Sequence, residues 1–370
     1  MKPKLDEILI TGAFCGFLAA MSLAYLLLPK AEFSETEKRY LAEVPELSWE
    51  RIASGEFGED VETYMADHIP GRDFFVGLNA YVDLLTGRQT ADDIYMTWDG
   101  RLVEAPVAWN ESAARKNMDK INAFAQKLGQ DVDLLIVPSA GWAAQEQIAG
   151  VAAPYSDDTM IGSIYAMAGE GIRTLNLTGH FSDPTLYYRT DHHWTSRGAY
   201  DAYEAYMRSL NRPYREREDF TVETVEGFYG STYSRAALWL NQPESLELWA
   251  GSTGITVRNG ESDTVHEGIF YRERLEETDK YTVYLDGNHS VVRIHNPNAA
   301  GTGKLLVIRD SYSNCLGGFL AESYEEVVLV DLRYYRSSIS ALYEAEGFAD
   351  VLVCYSLNNF MTDTNIVWLR

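Results

Sequence analysis

Two short stretches bring together residue types that can do chemistry on each other. One is TDHHWT at 190–195, where Asp191 and His193 lie two residues apart on a segment that is extended or turning. A carboxylate this close can orient an imidazole and stabilise its charged form. The other is KLLVIRDSYSN at 304–314, where an apolar run ends and Asp310-Ser311 follows at once. A serine placed there is lifted to the edge of a sheet, with its own N–H near a helix N-terminus, where an oxyanion would be stabilised. A serine hydroxyl is a weak nucleophile until an adjacent base activates it, and His193 could take the Ser311 proton.

Plainer readings exist for each stretch. Asp and Ser start helices well, so Asp310-Ser311 is also an ordinary cap. A histidine pair can be a structural hydrogen-bonding cluster. His180, Asp191, His192 and His193 could ligate a metal, and DHH occurs in a class of metal-dependent phosphoesterases, although those need further Asp motifs in an N-terminal domain. With no HExxH and no Cys/His grid, the sequence offers no metal or cofactor motif. The thiols Cys15, Cys315 and Cys354 are scattered and form neither a disulfide framework nor a zinc motif.

The elements that must position these groups follow from hydropathy. A helix over 111–128 leads into an apolar strand at 132–138, a helix at 158–169 into a strand at 172–177, and Leu186–Tyr188 into the histidine stretch. Thr195 or Ser196 caps a helix reaching to about 210. After residue 300 a regular alternation returns: strand 304–309, helix 315–323, strand 326–330, helix 337–346 and strand 350–355. Short apolar strands separated by helices predict a parallel sheet covered on both faces, whose working site lies beyond the carboxyl ends of the strands. The stretch 213–300 is rich in Thr, Tyr, Gly and Glu with alternating patterns (GITVR, YTVYLDG, SVVRIHN) and reads as a β-rich insertion of hairpins.

With 370 residues, 46% of them hydrophobic and 12% aromatic, the chain can bury a sizeable core and is not disordered. A formal charge of −24, with no basic run to offset it, argues against a nucleic-acid partner. Residues 8–28 (ILITGAFCGFLAAMSLAYLLL) carry no charge and would span about 31 Å as a helix, close to a bilayer core of ~30 Å. We read them as an uncleaved signal anchor, with Lys2 and Lys4 favouring a cytoplasmic N-terminus and the bulk of the chain extracytoplasmic. The expected organisation is a cytoplasmic tip and anchor over 1–30, a juxtamembrane arm and the start of the domain over 31–110, and an α/β domain over 111–370.

These stretches also resemble a known family. DHHW at 191–194, IRDSYS at 308–313 and VVLVDLRYY at 327–335, preceded in order by FSETEKRYLAEVPELS, YMADHIPGRD and WDGRLVE, resemble the DHHW protein family. That family is similar to the periplasmic alginate O-acetyltransferases, which have an SGNH-hydrolase-like (flavodoxin-like) domain and an Asp-x-His motif preceding the nucleophile serine. The resemblance implies that Asp191 orients, His193 is the base and Ser311 is the nucleophile. It implies O-acetyl transfer to a polysaccharide acceptor, beside a membrane-bound O-acyltransferase that supplies acyl groups. The usual SGNH glycine and asparagine blocks are not evident here. Asn288, Asn358 or Asn359, and Tyr355 are candidates for oxyanion or substrate binding, and Trp142, Trp194 and Trp239 for sugar stacking. Carbohydrate esterase, non-catalytic glycan-binding scaffold and metal-dependent hydrolase are the alternatives.

Overall fold

The computed structural model describes residues 5–34, 39–86, 90–91, 93–148, 153–260 and 262–369. Lys2, Lys4 and part of the FSETEKRY stretch lie outside the described residues. The chain divides into two compact units, residues 1–88 with 234–239, and residues 89–233 with 240–370.

The smaller unit begins with an α-helix, Leu5–Leu27, none of whose residues is buried. It is one helix long and apolar enough to cross a membrane. Three shorter helices follow, Trp49–Ser54, Glu56–Asp67 and Arg72–Leu85. Asp67 joins them to the preceding chain: it accepts two bonds from the Arg39 guanidinium and one from the Ala42 N–H, and the Arg39 hydrogen bonds bring its pKa down to about 2. Gly77 is required by close approach, since a Cβ there would stand 1.9 Å from Nε1 of Trp239.

The larger unit is built on an eight-stranded sheet in the order His266–Glu267, Thr256–Asn259, Val291–His295, Glu326–Val330, Lys304–Arg309, Asp350–Ser356, Val132–Val137, Ile172–Thr174. The last five in this order are mutually parallel, and the first three extend the sheet antiparallel. In the run KLLVIR, residues 305–308 (LLVI) are all apolar because both faces of the strand are covered. Leu305 and Val307 enter one core, with the helix Ser196–Ser209 and the helix Ser313–Leu320, while Leu306 and Ile308 enter the other, with the helices Glu111–Leu128 and Leu357–Thr362.

The segment 213–300 divides in two. Thr221–Phe228 and Glu244–Ala250 pair as a hairpin. Strands 256–259, 266–267 and 291–295 instead belong to the main sheet, where Val257, Val292 and Ile294 are buried. YTVYLDG, which alternates like a strand, is mostly a 3-10 turn over Lys280–Val283 followed by Leu285 and Asp286 at φ 58° and 63°.

Strand order locates the working edge. Counted cyclically from Lys304–Arg309 through Glu326–Val330 and Asp350–Ser356 to Val132–Val137 and Ile172–Thr174, the parallel strands lie in the spatial order 2-1-3-4-5. That is the order of one common doubly wound sheet, whose ligands bind between strands one and three, where the winding direction reverses. Ser311 follows the first of these strands and Ser356 ends the third.

Candidate active site

A cavity of about 400 Å³ opens at this edge, lined among others by Ser139, Gly141, Asp191, His193, Tyr281, Asn288, Ser311, Arg333 and Asn359. Its nucleophile candidate sits on a turn shaped by Asp310. One oxygen of that carboxylate accepts from the Tyr312 N–H at 3.1 Å; the other accepts from Ser356 N and Oγ and from Asn359 Nδ2, all at 2.8 Å. Asp310 therefore ties strand one to strand three beneath Ser311. The turn enters the helix Ser313–Leu320, and the Ser311 N–H has no acceptor among the described residues.

The histidine segment is fixed just as closely. Glu244 of the hairpin accepts from Arg189 N, Thr190 N and Thr190 Oγ1. Gly230 packs against Asp191, where a Cβ would stand 2.2 Å from the aspartate's own. The Nε1–H of Trp194 donates to the Tyr312 carbonyl at 3.0 Å, and the Tyr312 hydroxyl donates to the His192 carbonyl. These two bonds join the histidine segment to the serine turn.

The three groups then meet. Ser311 Oγ lies 2.8 Å from His193 Nε2, and His193 Nδ1 lies 2.5 Å from Asp191 Oδ1. An ionised Asp191 requires the proton on Nδ1, which leaves Nε2 as the acceptor for the serine hydroxyl. Asp191 Oδ1 also accepts the His193 N–H at 2.9 Å, and Oδ2 accepts Ser231 N at 2.7 Å and Ser231 Oγ at 2.9 Å. Burial would raise the Asp191 pKa, but the facing imidazoles of His193 and His192 and these hydrogen bonds outweigh it and hold the carboxyl well below its ordinary value. His192 Nδ1 bonds Ser231 Oγ at 2.7 Å, and burial, then the neighbouring His193, push its pKa down. Tyr281 stacks on the His193 ring at 4.0 Å and 8°. Such an arrangement can draw the proton from Ser311 Oγ into Nε2 while a fixed anion balances the resulting imidazolium.

Other sequence candidates fall differently. Asn288 is exposed on the cavity wall. Asn359 lines the cavity too, but its Nδ2 is bound to Asp310; Asn358 Nδ2 is bound to Glu104 at 2.9 Å. Tyr355 does not line the cavity: it is 1% exposed and packed in the core on one face of the sheet. Trp194, wholly buried, is a packing residue rather than a stacking surface. Neither Trp142 nor Trp239 lines the cavity. His180 bonds Asp201 at 2.8 Å, away from the other histidines, whereas ligating atoms of Asp191, His192 and His193 lie within 4.8 Å of one another. Tyr281 and Ser231 carry no spacing signal in the sequence and emerge only from the fold, while Arg309 and Tyr312 lie within the IRDSYS stretch, where nothing marks their contacts.

Residues 169–330 match the DHHW protein family. The matched span contains Asp191, His193 and Ser311, and the resemblance read from the sequence is borne out. Among solved structures, a DHHW family protein from Eubacterium siraeum is similar at TM-score 0.63 and 23% identity, covering 75% of this chain and 95% of its own. Bacillus cereus PatB1, solved with a sulfonyl adduct, is similar at TM-score 0.64 and 20% identity, covering 75% and 98%. At these identities the likeness is one of fold. The O-acetyltransferase domain of Pseudomonas putida AlgJ aligns at TM-score 0.46 and 14% identity, covering 73% and 92%, too loosely to carry an argument. No curated protein matches the chain.

Proposed function

We propose that this protein is a membrane-anchored, extracytoplasmic serine O-acyltransferase of SGNH-hydrolase-like fold. The observation that carries the reading is the hydrogen-bonded relay from Asp191 through His193 to Ser311 on the wall of an open cavity. Ser311 Oγ attacks the carbonyl carbon of an acyl ester while His193 Nε2 takes its proton. The carbonyl electron pair moves onto oxygen, beside the Ser311 N–H. Collapse expels the donor alcohol, which leaves with the proton held by His193, and an acyl-enzyme remains. A carbohydrate hydroxyl deprotonated by His193 then attacks, and the reverse collapse frees Ser311.

Acetyl is the expected group and a cell-surface or exported polysaccharide the expected acceptor, both from the family resemblance. The helix Leu5–Leu27 supports the anchor, next to which a membrane-bound O-acyltransferase would supply acyl groups. If water replaces the sugar, the same first half-reaction makes the protein a carbohydrate esterase. The close grouping of Asp191, His192 and His193 favours a second reading, a metal-dependent hydrolase.

A chromogenic acetate ester separates these readings. Turnover should survive a chelator, disappear in Ser311→Ala and in His193→Ala, and give acetylated sugar when an oligosaccharide acceptor is added. Free acetate alone, at any acceptor concentration, assigns the esterase. Loss of turnover on chelation assigns the metal reading. Absence of turnover of any ester by folded wild type leaves a scaffold.

A further inference from the structure

Arg309 is the last residue of the strand that delivers Ser311, and it is wholly buried. Burying a guanidinium strongly disfavours folding unless an anion meets it. None does so by direct contact here. Arg309 Nη1 donates only to neutral oxygens, Asn314 Oδ1 at 2.6 Å, Asn288 Oδ1 at 3.1 Å and the Asp310 carbonyl at 3.5 Å. Nε and Nη2 have no acceptor among the described residues. Asp331, whose field also reaches this cation, is engaged by Arg333 through Nε and Nη2. A cation kept in this state two residues before a candidate nucleophile calls for a functional explanation.

Its partners indicate what that explanation is. Arg309 can only donate, so Asn288 must turn its oxygen inward; Asn314 Nδ2 donates to the same oxygen at 3.2 Å. The Asn288 amide group, Nδ2, is thereby left facing away from Arg309, and Asn288 lines the cavity with Ser311. The backbone just before it is strained, with Leu285 and Asp286 in the left-handed region at φ 58° and 63°. Bulky residues rarely adopt that conformation, and such outliers concentrate at functional sites.

We propose that Arg309 is a positioning residue that holds and polarises Asn288, making Asn288 Nδ2 the second donor, with the Ser311 N–H, to the oxyanion formed when Ser311 attacks. This rests on the serine-relay reading. As the Oγ–C bond forms and the carbonyl electron pair moves to oxygen, the buried positive charge acts through one amide on the atom where negative charge develops. Removing one such donor typically lowers kcat by about 10²–10³-fold.

The test is a double-mutant cycle in the full-length protein, with the chromogenic acetate ester as substrate. Turnover must first depend on Ser311; if Ser311→Ala matches wild type, the serine-relay reading itself is overturned and this proposal falls with it. Given Ser311-dependent turnover, Asn288→Ala and Arg309→Met should each lower kcat by about 10²-fold with KM little changed. Arg309→Met should add less than about 3-fold in the Asn288→Ala background, because residues acting through one another are non-additive. Arg309→Lys, which keeps charge but not the planar fork, should recover part of the loss. Unchanged kcat in Arg309→Met, or losses that multiply in the double variant, overturns the proposal while leaving the relay intact. Should Arg309→Met fail to fold, Asn314→Ala takes its place in the cycle, with the same non-additivity supporting the proposal and multiplied losses overturning it.

Discussion

The two ends of the parallel sheet treat charge in opposite ways. At the amino ends of the strands, charges are paired with charges and lie partly in solvent. Lys304 meets Glu326 at 2.7 Å, Arg293 meets Glu346 at 2.5 Å, Arg212 meets Asp350 at 2.7 Å and Arg173 meets Asp133 at 2.8 Å. At the carboxyl ends Asp331 is paired with Arg333 at 2.6 Å, but three other buried charges are answered wholly or partly by neutral groups. Asp310 is held by a serine, an asparagine and backbone N–H groups, Arg309 by two asparagines, and Asp191 by Ser231 as well as by His193. A charge matched by a full counter-ion is largely cancelled at a distance. A charge held by dipoles keeps a field that can act on a neighbouring reaction. The carboxyl edge is therefore the one whose charges keep a field that the proposed chemistry could use.

Substitutions at the two ends should then differ in kind. Asp191→Asn removes the anion that sets the His193 tautomer and should cost on the order of 10³–10⁴-fold in kcat, measured on the chromogenic ester. A loss below about ten-fold would mean that the carboxylate is only structural. The same carboxyl makes stability depend on pH. Its folded pKa lies below the ordinary value, so its stabilising contribution is complete above the unfolded pKa of about 3.9 and is lost as the pH falls through the lower folded value. Denaturant melts should therefore show the gap between wild type and Asp191→Asn fully open near neutral pH and closing only in strong acid.

A smaller effect is expected beside the imidazole. The Tyr281 ring stacks flat on the His193 ring, so its face would meet the imidazolium that the proposed mechanism forms during turnover. Tyr281→Leu should lower kcat about three- to ten-fold, from an interaction on the order of 1 kcal/mol, whereas Tyr281→Phe should keep it. An unchanged kcat in Tyr281→Leu would reduce Tyr281 to packing. The smallest effect belongs to the opposite edge. Glu346→Gln breaks a partly exposed pair with Arg293 and should change stability by no more than about 1 kcal/mol, with kcat and KM unaltered. An altered kcat there would blur the distinction between the two ends.

Much of this was legible in the sequence where the signal is local. The run 304–309, the helix 111–128 and the Thr195 cap are set by apolar periodicity and by a hydroxyl that accepts the Gly198 N–H at 3.3 Å. Asp191, His193 and Ser311 could be named because each sits beside an element boundary and the family pattern joins them. YTVYLDG misleads because its alternation comes from Tyr281, Val283 and Leu285 packing into the core from a turn. Strand 291–295 reads as part of an insertion because sequence alternation gives a strand but not its neighbour, and its partner Glu326–Val330 lies more than thirty residues away. Arg309 looks like an ordinary strand-ending charge until the sheet is assembled around it. Tyr355 and Trp194 were attractive by position, yet tertiary packing turned both into the core.

The central claim, that Ser311 is a nucleophile activated by His193, is tested most directly by intact-mass and peptide analysis after treatment with a sulfonyl fluoride. The wild type should gain one sulfonyl group, carried on the peptide containing Ser311, and His193→Ala should remain unmodified over the same time. An adduct on another residue, or equal labelling of Ser311 with and without His193, would contradict it.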